Sequence, residues 1–193
     1  MSLPSGYTRL EYVESNGTQY IDTGFKADVN TRLVIDAQVF PDQPENYDDT
    51  WMLFGTFDDS GFGALYIPAS KKYMIFRDYD VTSFSADCKG NERLLIDYNK
   101  TQASIKINGI EEQIELENVT SLPVDGNIFI FAGCSWGNPF AYTAMKVYSC
   151  QIYDDDVLVR DFVPCLAPSG TAGLYDLANG VFYGNAEIGR AHV

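Results

Sequence analysis

Histidine is almost missing from this chain of 193 residues: His192 is the only one. A Ser-His-Asp or Cys-His nucleophilic site would have to be built on that residue, in a tail expected to be loose. Cysteine is scarce as well. Cys88, Cys134, Cys150 and Cys165 form no C-x-x-C pair, so a zinc shell would need all four scattered thiols. The even count leaves two disulfides open, in any of three connectivities; the alternative is four small buried hydrophobes. Positive charge is in short supply, with 13 Lys plus Arg against 27 Asp plus Glu and a net charge of -14. Duplex nucleic acid and anionic membrane surfaces are therefore excluded as partners, because no basic footprint exists to meet them. No apolar run approaches ~18 residues, so no segment reads as a membrane-spanning helix. Met1-Ser2-Leu3-Pro4 leads straight into polar sequence, without the apolar stretch of a secretory signal. No amphipathic helix is evident, and only 119–122 would admit a helical turn. No fixed-period repeat and no linker rich in Pro, Gly or Ser divides the chain, so residues 1–193 are expected to form a single domain.

What is present reads as strand after strand. Apolar residues make up 46% and aromatics 14%, a globular composition leaning towards β-structure. Residues 32–40 alternate, with Leu33, Ile35, Ala37 and Val39 on one face and Arg32, Val34, Asp36 and Gln38 on the other. Residues 51–57 are nearly all apolar, which suits a central strand covered on both sides. The clearest hairpin runs from Ala103 through Asn108-Gly109 to Leu116, since Asn-Gly supplies the positive φ of a tight turn. A second is expected at 145–153 and 157–164, joined by Asp154-Asp155-Asp156, and a third at 9–13 and 19–22, joined by Ser15-Asn16-Gly17-Thr18. Further short strands are expected at 64–67, 73–77, 93–99, 128–133, 173–176 and 181–183. About a dozen short strands separated by Gly, Asn and Asp predict an all-β, two-sheet antiparallel sandwich.

The two ends carry a resemblance. The segment Gly6-Tyr7-Thr8-Arg9-Leu10-Glu11-Tyr12-Val13-Glu14-Ser15-Asn16-Gly17-Thr18-Gln19-Tyr20-Ile21-Asp22-Thr23-Gly24 resembles the opening of a family found in gut-bacterial and prophage tail-associated proteins. Val147-Tyr148-Ser149-Cys150-Gln151-Ile152-Tyr153, Leu158-Val159-Arg160-Asp161-Phe162-Val163-Pro164-Cys165, Gly173-Leu174-Tyr175-Asp176 and Asn179-Gly180-Val181-Phe182-Tyr183 resemble its closing segment. The resemblance implies a concanavalin A-like, or laminin G-like, jelly roll that binds carbohydrate or a surface and is not an enzyme. It implies a place in a virion or on a bacterial surface, with other subunits of such an assembly as further partners. The middle of the chain, about 26–144, matches no motif. On a rigid sandwich it would carry specificity.

Three chemistries can be weighed on the residues. Glycosidases of this fold use paired carboxylates in a Glu-x-Asp-x-x-Glu run, which is missing here. Glu111, Glu112, Glu115 and Glu117 come nearest, and they read as the solvent face of a hairpin. Calcium needs six to eight oxygens, and laminin G-like relatives hold it at one rim. The acidic loops offer Asp48, Asp49, Asp58 and Asp59 as the preferred cluster, against the alternative of solvated turns. Glycan sites stack an aromatic ring on a sugar and read its hydroxyls with Asn, Asp and backbone groups. Ser135-Trp136-Gly137-Asn138-Pro139-Phe140-Ala141-Tyr142 offers this combination in a turn, with Trp136, Asn138 and Tyr142 as ligands. Tyr47 and Trp51 offer it a second time, although either Trp could be core. The expected partner is a glycan or cell-surface polysaccharide. The competing expectations are a structural protein-contact module and, behind it, a glycoside hydrolase. The sequons at Asn16, Asn99 and Asn118 arise easily by chance in so turn-rich a chain.

Overall fold

Period-2 alternation sets the architecture, because it gives each strand one face to bury and one to leave in water. The computed structural model describes residues 2–43, 50–86, 88 and 90–185, and no helix occurs among them. The strands are β1 (Thr8–Arg9), β2 (Val13–Asn16), β3 (Ile21–Lys26), β4 (Arg32–Val39), β5 (Trp51–Phe57), β6 (Gly61–Ile67), β7 (Lys72–Arg77), β8 (Asp80–Ser83) and β9 (Arg93–Tyr98). They continue with β10 (Gln102–Ile107), β11 (Ile110–Glu115), β12 (Asn127–Ile130), β13 (Gly133–Ser135), β14 (Asn138–Phe140), β15 (Ala144–Asp154), β16 (Val157–Leu166), β17 (Ala172–Asp176) and β18 (Val181–Tyr183).

Two sheets result. One runs β11-β10-β9-β4-β15-β16-β17-β18, with β1 on β16 and β2 on β15. The other runs β14-β13-β5-β6-β7-β8, with β12 joined to β5 and β3 joined to β12. The expected all-β antiparallel sandwich is the observed fold. Leu33, Ile35, Ala37 and Val39 of β4 are fully buried, in one core cluster with Phe54, Phe62 and Ile75 of the opposite sheet. Asn108 and Gly109 turn β10 into β11 with φ of 52° and 81°, and Asp155 and Asp156 turn β15 into β16 with φ of 46° and 62°.

One expected hairpin is not there. The strands flanking Ser15-Asn16-Gly17-Thr18 do not pair with each other: β2 pairs β15 in the ten-stranded sheet, and β3 pairs β12 in the other. The turn is real, braced by Gly17 N–H on Ser15 Oγ at 3.0 Å and Asn16 N–H on Gln19 Oε1 at 2.9 Å. It carries the chain from one sheet to the other. The stretch 119–122 is irregular, with no helical turn.

The two outer faces differ in chemistry. The ten-stranded sheet presents paired charges: Arg32 grips Asp97 through two bonds of 2.8 and 2.6 Å, and Arg93 grips Asp36 through two of 2.7 and 2.8 Å. The eight-stranded sheet presents a separate apolar cluster of Met52, Phe76 and Ala141, with Leu65 and Phe140 against it. Rings lie flat here because glycines lie beneath them. A Cβ on Gly63 would stand 2.7 Å from Phe76, and one on Gly133 would stand 2.6 Å from Phe140. Between the sheets Arg77 is buried, donating to the carbonyls of Val29 and Asn99 and lying over the rings of Phe62 and Tyr98. This guanidinium fastens β7 to the turn between β9 and β10.

Candidate functional site

The hairpin of β13 and β14 has a two-residue loop, Trp136-Gly137, with Ser135 opposite Asn138. Both loop residues have positive φ, 50° and 78°, as the primed hairpin turns require. Glycine fits that conformation without cost, whereas a side chain there costs roughly 1–2 kcal/mol. Trp136 nevertheless occupies it and stands 61% exposed. Asn138 donates its amide to the Trp136 carbonyl at 3.2 Å, so it braces the turn on which the indole is carried.

The turn is also held from below by Asp58, which follows β5. Asp58 Oδ1 accepts the Trp136 N–H, and Oδ2 accepts the N–H groups of Asp125 at 3.0 Å and Gly126 at 2.9 Å. One carboxylate thus ties three chain segments together with charge-assisted bonds. The approach needs a glycine: a Cβ on Gly126 would lie 2.7 Å from Cys134 Sγ and 2.8 Å from Thr56 Oγ1.

Between the Trp136 turn and β3 runs an open cleft of about 430 Å³. Asp22 and Lys26 form one wall, Asp125 to Asn127 another, and Trp136 with Gly137 the third, over the ring of Phe129. Asp22 Oδ1 accepts the Asn127 side-chain amide at 2.9 Å and the Gly24 N–H at 2.8 Å. That bond fixes the Asn127 amide with its carbonyl oxygen turned away from Asp22. Lys26 Nζ lies 3.9 Å from Asp125, with both side chains in water. Behind the cleft Phe129 stacks on Tyr20 at 4.7 Å, and Tyr142 meets Tyr20 edge-on at 6.3 Å. The assembly offers an apolar ring face, a carboxylate, a side-chain amide and one ammonium, the ingredients of hydroxyl recognition.

The expected site residues distribute as follows. Trp136 lines the cleft. Asn138 supports its loop, and Tyr142 is half-buried, two rings behind the Phe129 floor. Trp51 lies in β5 and is 6% exposed, away from the Trp136 cleft lining. Tyr47, Asp48 and Asp49 lie outside the described residues. Asp59 is exposed, and Asp58 accepts three backbone N–H groups on its carboxylate. Among the described residues no three Asp, Glu, Cys or His side chains converge as a metal cage requires. Of the hairpin glutamates, Glu112 accepts the N–H groups of Ser85 at 2.7 Å and Ala86 at 2.8 Å. Sequence reasoning missed Asp22, Lys26, Asp125, Asn127 and Phe129. Asp125-Gly126-Asn127 was the signal available, a turn tripeptide beside an apolar strand.

A larger cavity, about 530 Å³, lies beneath residues 10–21, against Phe131, Leu166 and Ala172. Its lining is mostly apolar, and the Tyr12 ring at its rim is already engaged by Lys146 at 4.0 Å and Tyr148 at 5.7 Å. The chemistry of the Trp136 cleft is the better developed of the two.

No family model matches the chain. No curated protein is significantly similar to it. Solved structures do share the fold. The CBM40 domain of the Ruminococcus gnavus IT-sialidase, bound to α2,3-sialyllactose, superposes with a TM-score of 0.55 at 16% identity, over 78% of this chain and 92% of that one. A candidate carbohydrate-binding protein from Bacteroides ovatus gives a TM-score of 0.64 at 10% identity, over 93% of this chain and 59% of that one. The NanB sialidase of Streptococcus pneumoniae gives 0.53 at 14% identity; the match covers 79% of this chain but 26% of the sialidase. The chain therefore shares the jelly-roll fold of the CBM40 domain.

Proposed function

We propose that this domain is a non-catalytic carbohydrate-binding module whose binding site is the Trp136 cleft. One observation carries the reading. A tryptophan held in a costly backbone conformation stands exposed in a cleft whose walls carry the Asp22 carboxylate and the Asn127 amide. The indole would stack on the apolar face of a sugar ring, and these two groups would hydrogen-bond its hydroxyls. The fold neighbours support this, being carbohydrate-binding modules in the R. gnavus case and by designation in the B. ovatus case. A shallow cleft gives weak binding per site, so several copies are needed for avidity. The terminal segments, which resemble those of prophage tail-associated and gut-bacterial proteins, fit display on such a multivalent assembly.

The test is a glycan array probed with the multimerised domain and its Trp136→Ala variant, with calcium and again with chelator. A specific signal lost in Trp136→Ala, at an unchanged melting temperature, supports the reading. A signal abolished by chelator would restore a calcium site at the acidic loops. Silence from the multimerised wild type on every glycan overturns the reading. It would favour a protein-contact module, for which the eight-stranded sheet offers Phe57 and Val81, exposed on either side of Phe76.

A further inference from the structure

We infer that the cleft selects uncharged sugars and rejects those bearing a carboxylate, and that Asp22 is the residue that discriminates. The inference rests on the Trp136 cleft being the glycan site. It runs opposite to the ligand of the R. gnavus neighbour, which is a sialylated one.

The charges around the cleft carry the argument. Asp22 and Asp125 stand on two of its walls, and Lys26 is the one cation among the described lining residues. Lys26 lies 3.9 Å from Asp125, both side chains in water, so the single cation stands against two carboxylates on the cleft walls. Asp58 adds a third carboxylate behind the Trp136 turn. Among the described residues no arginine lines the cleft, and Arg is the side chain that recognises carboxylates through two parallel bonds. The whole molecule carries -14, so the long-range field also repels anions. Asp22 lines the cleft as a carboxylate, the correct partner for a sugar O–H and the wrong one for a sugar carboxylate. Fixed by Asn127 and Gly24 through Oδ1, it cannot swing aside.

The array for this test holds matched pairs: neutral oligosaccharides and counterparts that differ by one sialic or uronic acid residue. Wild type, Trp136→Ala and Asp22→Asn are compared at low and high salt. The neutral member of a pair should be preferred roughly tenfold, the size expected for one like-charge contact in partly solvated surroundings. High salt should narrow that preference by screening. Asp22→Asn should move the ratio towards one while its melting temperature stays near wild type. Preference for the acidic members, lost in Trp136→Ala, would overturn this inference and leave the glycan site standing. Neutral preference unaltered in Asp22→Asn would overturn the role of Asp22. Silence on every pair would overturn the binding reading and this inference with it.

Discussion

Asp58 illustrates how a single carboxylate can set a surface. It accepts the amides of Trp136, Asp125 and Gly126, and so locks two walls of the cleft to the end of β5. In Asp58→Asn one of the two oxygens becomes an N–H donor facing other N–H groups. We expect a loss of about 1–3 kcal/mol in urea unfolding with an unchanged m-value. We also expect weaker glycan binding at a temperature where the variant is fully folded. Trp136 itself works the other way. Its φ of 50° suits glycine better than any side chain, so Trp136→Gly should raise stability by about 0.5–1 kcal/mol while abolishing binding. Strained backbone positions cluster at binding sites, which is the role proposed for Trp136. Asp58 was legible in the sequence only as an acid in a turn. Nothing local told whether its oxygens would face a cation, water or backbone amides.

At the scale of elements, the hairpins at Asn108-Gly109 and at Asp154–Asp156 were legible because turn chemistry and flanking alternation agree there. The Asn16-Gly17 turn misled because the same local chemistry serves a crossover between sheets. Which strand β2 and β3 pair with is decided by β15 and β12, far along the chain. Glu112 gives this scale a pH test. Burial acts to raise its pKa, but the N–H groups of Ser85 and Ala86, together with nearby Lys72, outweigh that and hold it below the usual glutamate value. A pKa lowered in the folded state stabilises above the unfolded pKa and stops doing so as pH falls through the folded one. Glu112→Gln should therefore melt lower than wild type at pH 7, and the gap should close as pH falls below the normal glutamate range near ~4.3. A gap that persists in acid would mean the carboxylate charge contributes nothing.

Across the whole molecule, sequence periodicity revealed the sandwich but not the site. The core alternation lies within single strands, whereas the cleft gathers residues 22–26, 125–129 and 134–137 from separated stretches. Asp22 stands in the opening segment, outside the middle stretch expected to carry specificity, and only the pairing of β3 with β12 brings it to Asn127. The four cysteines belong to this scale too. All are buried and none is in a disulfide. Burial raises the pKa of Cys134, Cys150 and Cys165, which keeps these thiols protonated and unreactive. A thiol reagent such as DTNB should find none of them within minutes in the native protein and all four in denaturant. Rapid reaction of a native thiol would contradict the packing described here.

The most direct test of the central claim uses the two tryptophans as probe and control. In a 15N-labelled sample the indole N–H signals of Trp136 and Trp51 are followed as a sugar from the array is titrated in. Trp136 is exposed at the cleft and Trp51 is buried in β5. The Trp136 signal should shift and saturate, with Asn127 and Gly137 amides moving alongside it and Trp51 unmoved. Binding that shifts other parts of the spectrum and leaves Trp136 in place would contradict the central claim.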